Sequence, residues 1–119
     1  MDRQQIGKDA EKYAEQFLKE RRLKIIARNF SCRLGEIDLI MLDKNTLVFV
    51  EVRLRRNRNY GGAARSVTPS KQLKIIKTAQ LFLQKNPQYN NNSCRFDVIA
   101  YEYDAAPSEP LWYKDAFRI

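Results

Sequence analysis

Residues 36–55 constrain the fold more than any other part of this chain. Two apolar-rich runs, 36–43 and 46–55, flank Lys44-Asn45. Such runs on either side of a two-residue connection read as an antiparallel β-hairpin. Alternate residues of a strand share a face. In the second run Val48, Val50, Val52 and Leu54 share one face, an apolar set for a core. Phe49, Glu51, Arg53 and Arg55 share the other. In the first run Ile37, Leu39 and Met41 share one face, and Glu36, Asp38, Ile40 and Leu42 the other. With Lys44-Asn45 as the turn, Asp43 pairs with Thr46 and the numbers of paired residues sum to 89. Asp38 then faces Glu51, and Glu36 faces Arg53. A four-residue loop keeps this register; a loop of three or five residues breaks it.

Directly opposed side chains have Cβ atoms about 4.5–5.5 Å apart, and like charges at that separation are destabilising. Three remedies are open to Asp38 and Glu51. A divalent cation such as Mg²⁺ is commonly held by one or two carboxylates with water and substrate phosphate. Arg53 or Arg55 could instead form a salt bridge. One carboxyl could also stay protonated through a raised pKa.

The flanking sequence places this hairpin in a mixed α/β chain. Ile6, Ala10, Tyr13, Ala14, Phe17 and Leu18 recur at helical spacing, predicting a helix over 4–22. LKIIARNF, 23–30, predicts a short strand. Residues 55–69 form a polar, glycine-containing loop. Pro69-Ser70 opens a second helix over about 70–86, its apolar side supplied by Leu73, Ile76, Ala79, Leu81, Phe82 and Leu83. CRFDVIAYEY, 94–103, predicts another strand, AAPSEP a turn, and LWYKDAFRI a last short strand. The order is αβββαββ, a mixed central sheet flanked by helices. At 119 residues with no internal repeat or linker, residues 1–119 are expected to form one domain.

The charge is unevenly distributed. No Asp or Glu lies between Glu51 and Asp97, a stretch holding ten of the 22 basic residues. The rest of the chain carries 12 basic and 14 acidic residues, a net of −2. An acid-free basic segment is the footprint of a phosphate-backbone binder, although a solvated basic face gives the same composition. Several chemistries are excluded. With no histidine there is no His general base and no His-ligated zinc. Cys32 and Cys94 are too few for a thiolate metal site and could form at most one disulfide. Any metal is expected to be a hard cation on oxygen ligands. The longest apolar run is far short of the ~20 residues that span a membrane. The N-terminal residues MDRQQIGKDAEK do not read as a secretory signal, so the expectation is a cytoplasmic protein that avoids membranes.

GEIDLI at 35–40 followed by VFVEVRLR at 48–55 resembles the YraN-like family of uncharacterised bacterial proteins. That family is similar to restriction-endonuclease-like nucleases of the PD-(D/E)XK type, particularly Holliday junction resolvases. GKDAEKYAEQFL at 7–18 fits the family's first helix, with Gly7, Glu11, Ala14 and Leu18 in place. Asn29 precedes the GEID motif, Lys71 and Ala79 fit the second helix, RFDVIA the next strand, and Ala116-Phe117 the C-terminus. The resemblance implies a restriction-endonuclease-like fold with Asp38 and Glu51 as metal-binding acids and Glu11 as a helix-borne acid near them. It also implies a lysine at position 53, where this chain has Arg53. A lysine amine can position or deprotonate water, whereas a guanidinium stays protonated and instead offers a bidentate phosphate contact. The expected function is a nucleic-acid-binding protein with a nuclease-like site, a Mg²⁺- or Mn²⁺-dependent structure-selective endonuclease acting on DNA. Glu11, Asp38, Glu51 and Arg53 form its catalytic set, and Arg55, Arg56, Arg58, Lys71 and Lys74 track the backbone. A two-fold dimer is implied weakly. The alternatives are a non-catalytic DNA- or RNA-binding module on the same fold, marked by Arg53, and an adaptor whose basic segment meets an acidic partner.

Several residues also have structural readings. Glu11 could pair with Lys8 on an exposed helix face, Glu36 could bridge to Arg53, and Asp97 could pair with Arg95. Tyr101, Tyr103, Trp112 and Tyr113 read as packing residues. Tyr60 is the aromatic best placed to contact a nucleic acid, beside Gly61-Gly62, which would loosen its loop.

Overall fold

A computed structural model describes residues 3–55, 67–102 and 110–118. Helix α1, Arg3–Glu20, leads into strands β1, Lys24–Cys32, β2, Gly35–Asp43, and β3, Thr46–Arg55. Helix α2, Pro69–Lys85, and a 3-10 turn, Pro87–Tyr89, precede β4, Ser93–Glu102, and β5, Leu111–Phe117. The five strands form one sheet in chain order, β1-β2-β3-β4-β5. All neighbours are antiparallel except β3 and β4, which run parallel. A parallel pair requires a crossover, and α2 lies within it. The expected αβββαββ order and restriction-endonuclease-like α/β architecture are therefore present. Tyr60, Gly61-Gly62, Arg56, Arg58 and Tyr103 lie outside the described residues.

The two helices cover opposite faces of the sheet. On one face Ala14 and Leu18 of α1 pack with Leu23, Leu39, Met41, Val48, Val50 and Ile99. On the other, Ile75, Ile76, Ala79 and Phe82 of α2 pack with Ile37, Ile40, Leu47, Phe49, Phe96 and Phe117. Both faces of β3 are thus buried, so Val48 and Phe49 each belong to a core although they point in opposite directions. Aromatic rings fill the α2 face: Phe30 and Phe49 meet Phe82 edge-on, and Phe96 stacks between Phe49 and Phe117. Thr68 caps α2, its hydroxyl accepting from the Lys71 amide, and Pro69 occupies the first turn.

Three sequence expectations about packing need correction. Tyr13 is 60% exposed and Leu73 53%, although both fell on helical apolar faces. Ile75, not Leu73, supplies that part of the α2 stripe. Ile37 packs on the α2 face whereas Leu39 and Met41 pack on the α1 face. The alternation of β2 therefore breaks at Asp38.

Candidate functional site

The site forms where the sheet parts. The β2–β3 ladder runs from Asp43↔Thr46 to Leu39↔Val50 in the expected register and stops there. On either side the outer ladders continue, β1–β2 to Cys32↔Gly35 and β3–β4 to Arg55↔Glu102. Each half of the sheet stays intact while β2 and β3 separate, and the carboxylates occupy the first positions beyond the last rung. The Asp38 amide donates to Glu51 Oε2 at 3.3 Å, and the Val52 amide donates to Asp38 Oδ2 at 2.8 Å. Side-chain oxygens thus satisfy main-chain donors that the ladder no longer uses.

Each carboxylate commits one oxygen to the backbone and leaves the other directed elsewhere. Glu51 Oε1 lies 3.4 Å from Arg53 Nη2, a long ion pair, and Asp38 Oδ1 has no hydrogen bond among the described residues. Glu51 is 5% exposed and Asp38 is partly buried. Burial pushes both carboxyls well above their ordinary range. The Asp38 charge raises Glu51 further, and Glu11 and Glu36 raise Asp38, while Arg53 holds both down only in part. When both are ionised, the pair therefore carries more negative charge than the described neighbours offset.

These residues line a cleft of about 270 Å³ with Gly35, Glu36, Arg53, Lys71, Lys74 and Ile75. Gly35 explains how α2 reaches it. A Cβ at Gly35 would lie 3.3 Å from Thr78 Oγ1 and 3.7 Å from Lys74 Cβ. The bare backbone lets the β1–β2 turn sit against α2, which brings Lys71 and Lys74 to the carboxylates.

A family model described as uncharacterised protein family UPF0102 matches residues 10–101. The chain belongs to this family. It is 51% identical over 116 residues to a UPF0102 protein of Pseudomonas syringae pv. syringae, covering 97% of this chain and 94% of the relative. Identity is 50% over 116 residues with one from Pseudomonas savastanoi pv. phaseolicola, again 97% and 94%. It is 45% over 113 residues with one from Nitrosococcus oceani, covering 95% and 91%. The UPF0102 match takes in α1 from its second turn, β1 to β3, α2 and nearly all of β4.

Within this UPF0102 chain the expected site residues divide into three groups. Asp38, Glu51, Arg53, Lys71 and Lys74 share the cleft. Glu11 lies instead in a groove between α1 and β1, where Oε1 accepts from Asn29 Nδ2 at 2.8 Å. Its charge reaches Asp38, but no group of three metal-ligating side chains forms among the described residues. Arg56 and Arg58 fall outside the described residues, and of Arg55 only the backbone is described. Glu36 is exposed on the cleft margin, and Arg53 turns to Glu51 instead of to it. Arg53 and Glu51 are two apart on one strand, so they share a face.

Sequence reasoning gave no structural role to Asn29. It has a left-handed φ of 49°, which Asn adopts more readily than most residues. Nor did it anticipate Arg28, whose guanidinium holds Glu15 through two bonds of 2.6 and 2.7 Å. A basic residue on an edge strand carries no sequence signal for a helix residue 13 positions away.

Among the described residues, no helix is long and apolar enough to cross a membrane.

Proposed function

We propose that this protein is a divalent-metal-dependent nuclease acting on nucleic acid, with Asp38 and Glu51 holding Mg²⁺ or Mn²⁺. The observation that carries this reading is the under-neutralised pair itself. A buried and a partly buried carboxylate adjoin, each with an oxygen left over from backbone bonding, beside three cations of an acid-free segment. Hard oxygen donors suit a hard divalent ion, and two carboxylates leave coordination positions for water and phosphate. When bound, such an ion supplies an activated water and charge stabilisation for phosphodiester hydrolysis.

The protein's own residues do the rest. The Val52 and Asp38 amides fix the carboxylate orientations before any ligand arrives. Arg53 Nε is buried without a hydrogen-bond acceptor among the described residues, so a phosphate oxygen entering the cleft would complete its bonding. Lys71 and Lys74 extend the positive margin along α2, the direction in which a backbone would run. DNA is the substrate we favour, with branched or flapped forms ahead of plain duplex.

A second reading follows from one specific observation. Arg53 already leans on Glu51, and no lysine occupies its position. A site of that kind can bind metal and phosphate yet hydrolyse slowly or not at all. Both readings are separated by one assay: branched, flapped and single-stranded DNA and RNA, with Mg²⁺ or Mn²⁺, for wild type, Asp38→Ala/Glu51→Ala and Arg53→Lys. Metal-dependent cutting that disappears in the double variant supports the nuclease, and faster cutting by Arg53→Lys assigns the limitation to the guanidinium. No cutting of any substrate, with salt-sensitive binding retained by the double variant, supports the binding module.

A further inference from the structure

Among the described residues, two arginine–glutamate pairs are built in different ways. Arg28 grips Glu15 with both prongs of a fork, Nε on Oε1 at 2.6 Å and Nη2 on Oε2 at 2.7 Å. That is the geometry of a committed pair. Arg53 reaches Glu51 through Nη2 alone, at 3.4 Å, and its Nε is buried with no acceptor among the described residues. The reason lies in Glu51. Its Oε2 accepts the Asp38 amide, so it has one oxygen to offer and the fork cannot close. A guanidinium N–H buried without a partner is costly. Arg53 therefore rests beside Glu51 in a position that leaves its own donors unfilled. It lines the cleft with Lys71 and Lys74, neither of which forms an ion pair with Asp38 or Glu51 among the described residues.

We propose that Arg53 is an exchangeable counter-ion: it rests on Glu51 Oε1 in the free protein and transfers to a phosphodiester, so that the phosphodiester and a divalent cation bind cooperatively. This rests on the metal-site reading above and adds how the two ligands depend on each other. A phosphodiester presents two oxygens and can take Nε and Nη2 together, which Glu51 cannot do. The transfer frees Oε1, the Glu51 oxygen that backbone bonding leaves for a cation. It also carries a positive charge off the carboxylate and onto the phosphate. With Arg53 on Oε1, a cation entering the pair would meet a guanidinium at the oxygen it needs. Each ligand thus removes a cost that the other would otherwise bear. Such coupling is reciprocal and typically changes affinity about 5–150-fold. The free protein then holds divalent cations weakly, and a nucleic-acid backbone in the cleft completes the site.

The test is Mn²⁺ titration by electron paramagnetic resonance, with and without saturating dimethyl phosphate. Chloride replaces the phosphodiester at equal ionic strength, and a protein-free blank is subtracted. For the wild type, dimethyl phosphate should tighten Mn²⁺ binding about tenfold. Without it, Arg53→Met should bind Mn²⁺ about tenfold more tightly than the wild type, and should gain about twofold or less on its addition. Lys71→Met removes the same charge from the same cleft but keeps the Arg53–Glu51 pair, so it should keep the wild-type gain. Arg53→Gln is a second variant, followed by urea unfolding: Mn²⁺ should raise its midpoint more than that of the wild type. A full wild-type gain in Arg53→Met would overturn the inference, as would the same shift in Lys71→Met. Equal Mn²⁺ affinity of Arg53→Met and wild type without dimethyl phosphate, with binding abolished in Asp38→Asn, would overturn it while leaving the metal site standing. Absence of Mn²⁺ binding by the wild type and both Arg53 variants, with and without dimethyl phosphate, would remove both.

Discussion

Asp97 and the Asp38–Glu51 pair are carboxylates set into the same sheet and treated in opposite ways. Asp97 is fully enclosed. It accepts from Arg95 Nε at 3.1 and 3.2 Å, from Trp112 Nε1 at 2.9 Å and from the Asp115 amide at 2.9 Å. Arg95 Nη2 also lies 3.0 Å from Asp43, tying the start of β4 to the β2–β3 turn. That carboxylate has a cation beside it, and its hydrogen bonding is filled from two strands, β4 and β5. Among the described residues, the Asp38–Glu51 pair has one ion pair, a long one of 3.4 Å from Arg53 to Glu51, and one oxygen of Asp38 has no hydrogen bond. The fold therefore contains the means to balance a buried acid and does not apply them at the pair. A structural role explains Asp97 completely. It leaves the pair with a charge excess that a divalent ion would remove.

The largest expected effect comes from breaking the balanced side. Asp97→Ala leaves the Arg95 charge to Asp43 alone and strands the Trp112 N–H and the Asp115 amide, and should cost about 3–5 kcal/mol. Urea unfolding would measure it. Glu51→Gln should act in the opposite sense on the metal-free protein. The variant keeps an oxygen to accept the Asp38 amide and removes one of the opposed charges, so stability should rise by about 1–2 kcal/mol. A loss of stability in Glu51→Gln without metal would show that the pair is a structural element like Asp97.

The dependence on pH sharpens the contrast. Asp38 and Glu51 bind protons more tightly in the folded state than in the unfolded one. The metal-free protein should therefore lose stability as pH climbs from about 4 to about 8, since over that range the native state holds protons that the unfolded chain has already lost. Glu15 works the other way. The Arg28 hydrogen bonds, aided by Lys19, hold its carboxyl down to about 2. Its contribution is present above an ordinary pKa of about 4 and disappears as pH falls toward 2. Urea midpoints across pH should show both limbs. Glu51→Gln should flatten the neutral limb only, and Glu15→Gln the acid limb only.

The smallest effect concerns placement and not charge. Gly35→Ala puts a Cβ 3.3 Å from Thr78 Oγ1, which itself donates to the Lys74 carbonyl. A cost of about 1 kcal/mol is expected as α2 gives way. Nucleic-acid affinity at low salt should fall with it, because Lys71 and Lys74 move with the helix.

The hairpin was legible because strand alternation and a two-residue turn determine a register by counting, and the ladder from Asp43↔Thr46 to Leu39↔Val50 follows that count. The same count brought Asp38 to Glu51. It did not reveal that the ladder ends there, since strand separation depends on both outer ladders holding their own register. The turn at Asn29 was illegible for a related reason. One residue with φ of 49° reverses the alternation of everything beyond it, and Asn is equally at home in ordinary loops. Tyr13 and Leu73 were misplaced because helical periodicity marks a face but not how far the opposing sheet extends beneath it.

The most direct measurement is urea unfolding at neutral pH of wild type and Asp38→Asn/Glu51→Gln, each with and without Mg²⁺. Without metal the double variant should be the more stable protein. At roughly a hundredfold excess of Mg²⁺ over its dissociation constant, the wild type should gain about 2–3 kcal/mol and the variant nothing. Equal responses of the two proteins to Mg²⁺, or a wild type that is already the more stable without it, would contradict the account.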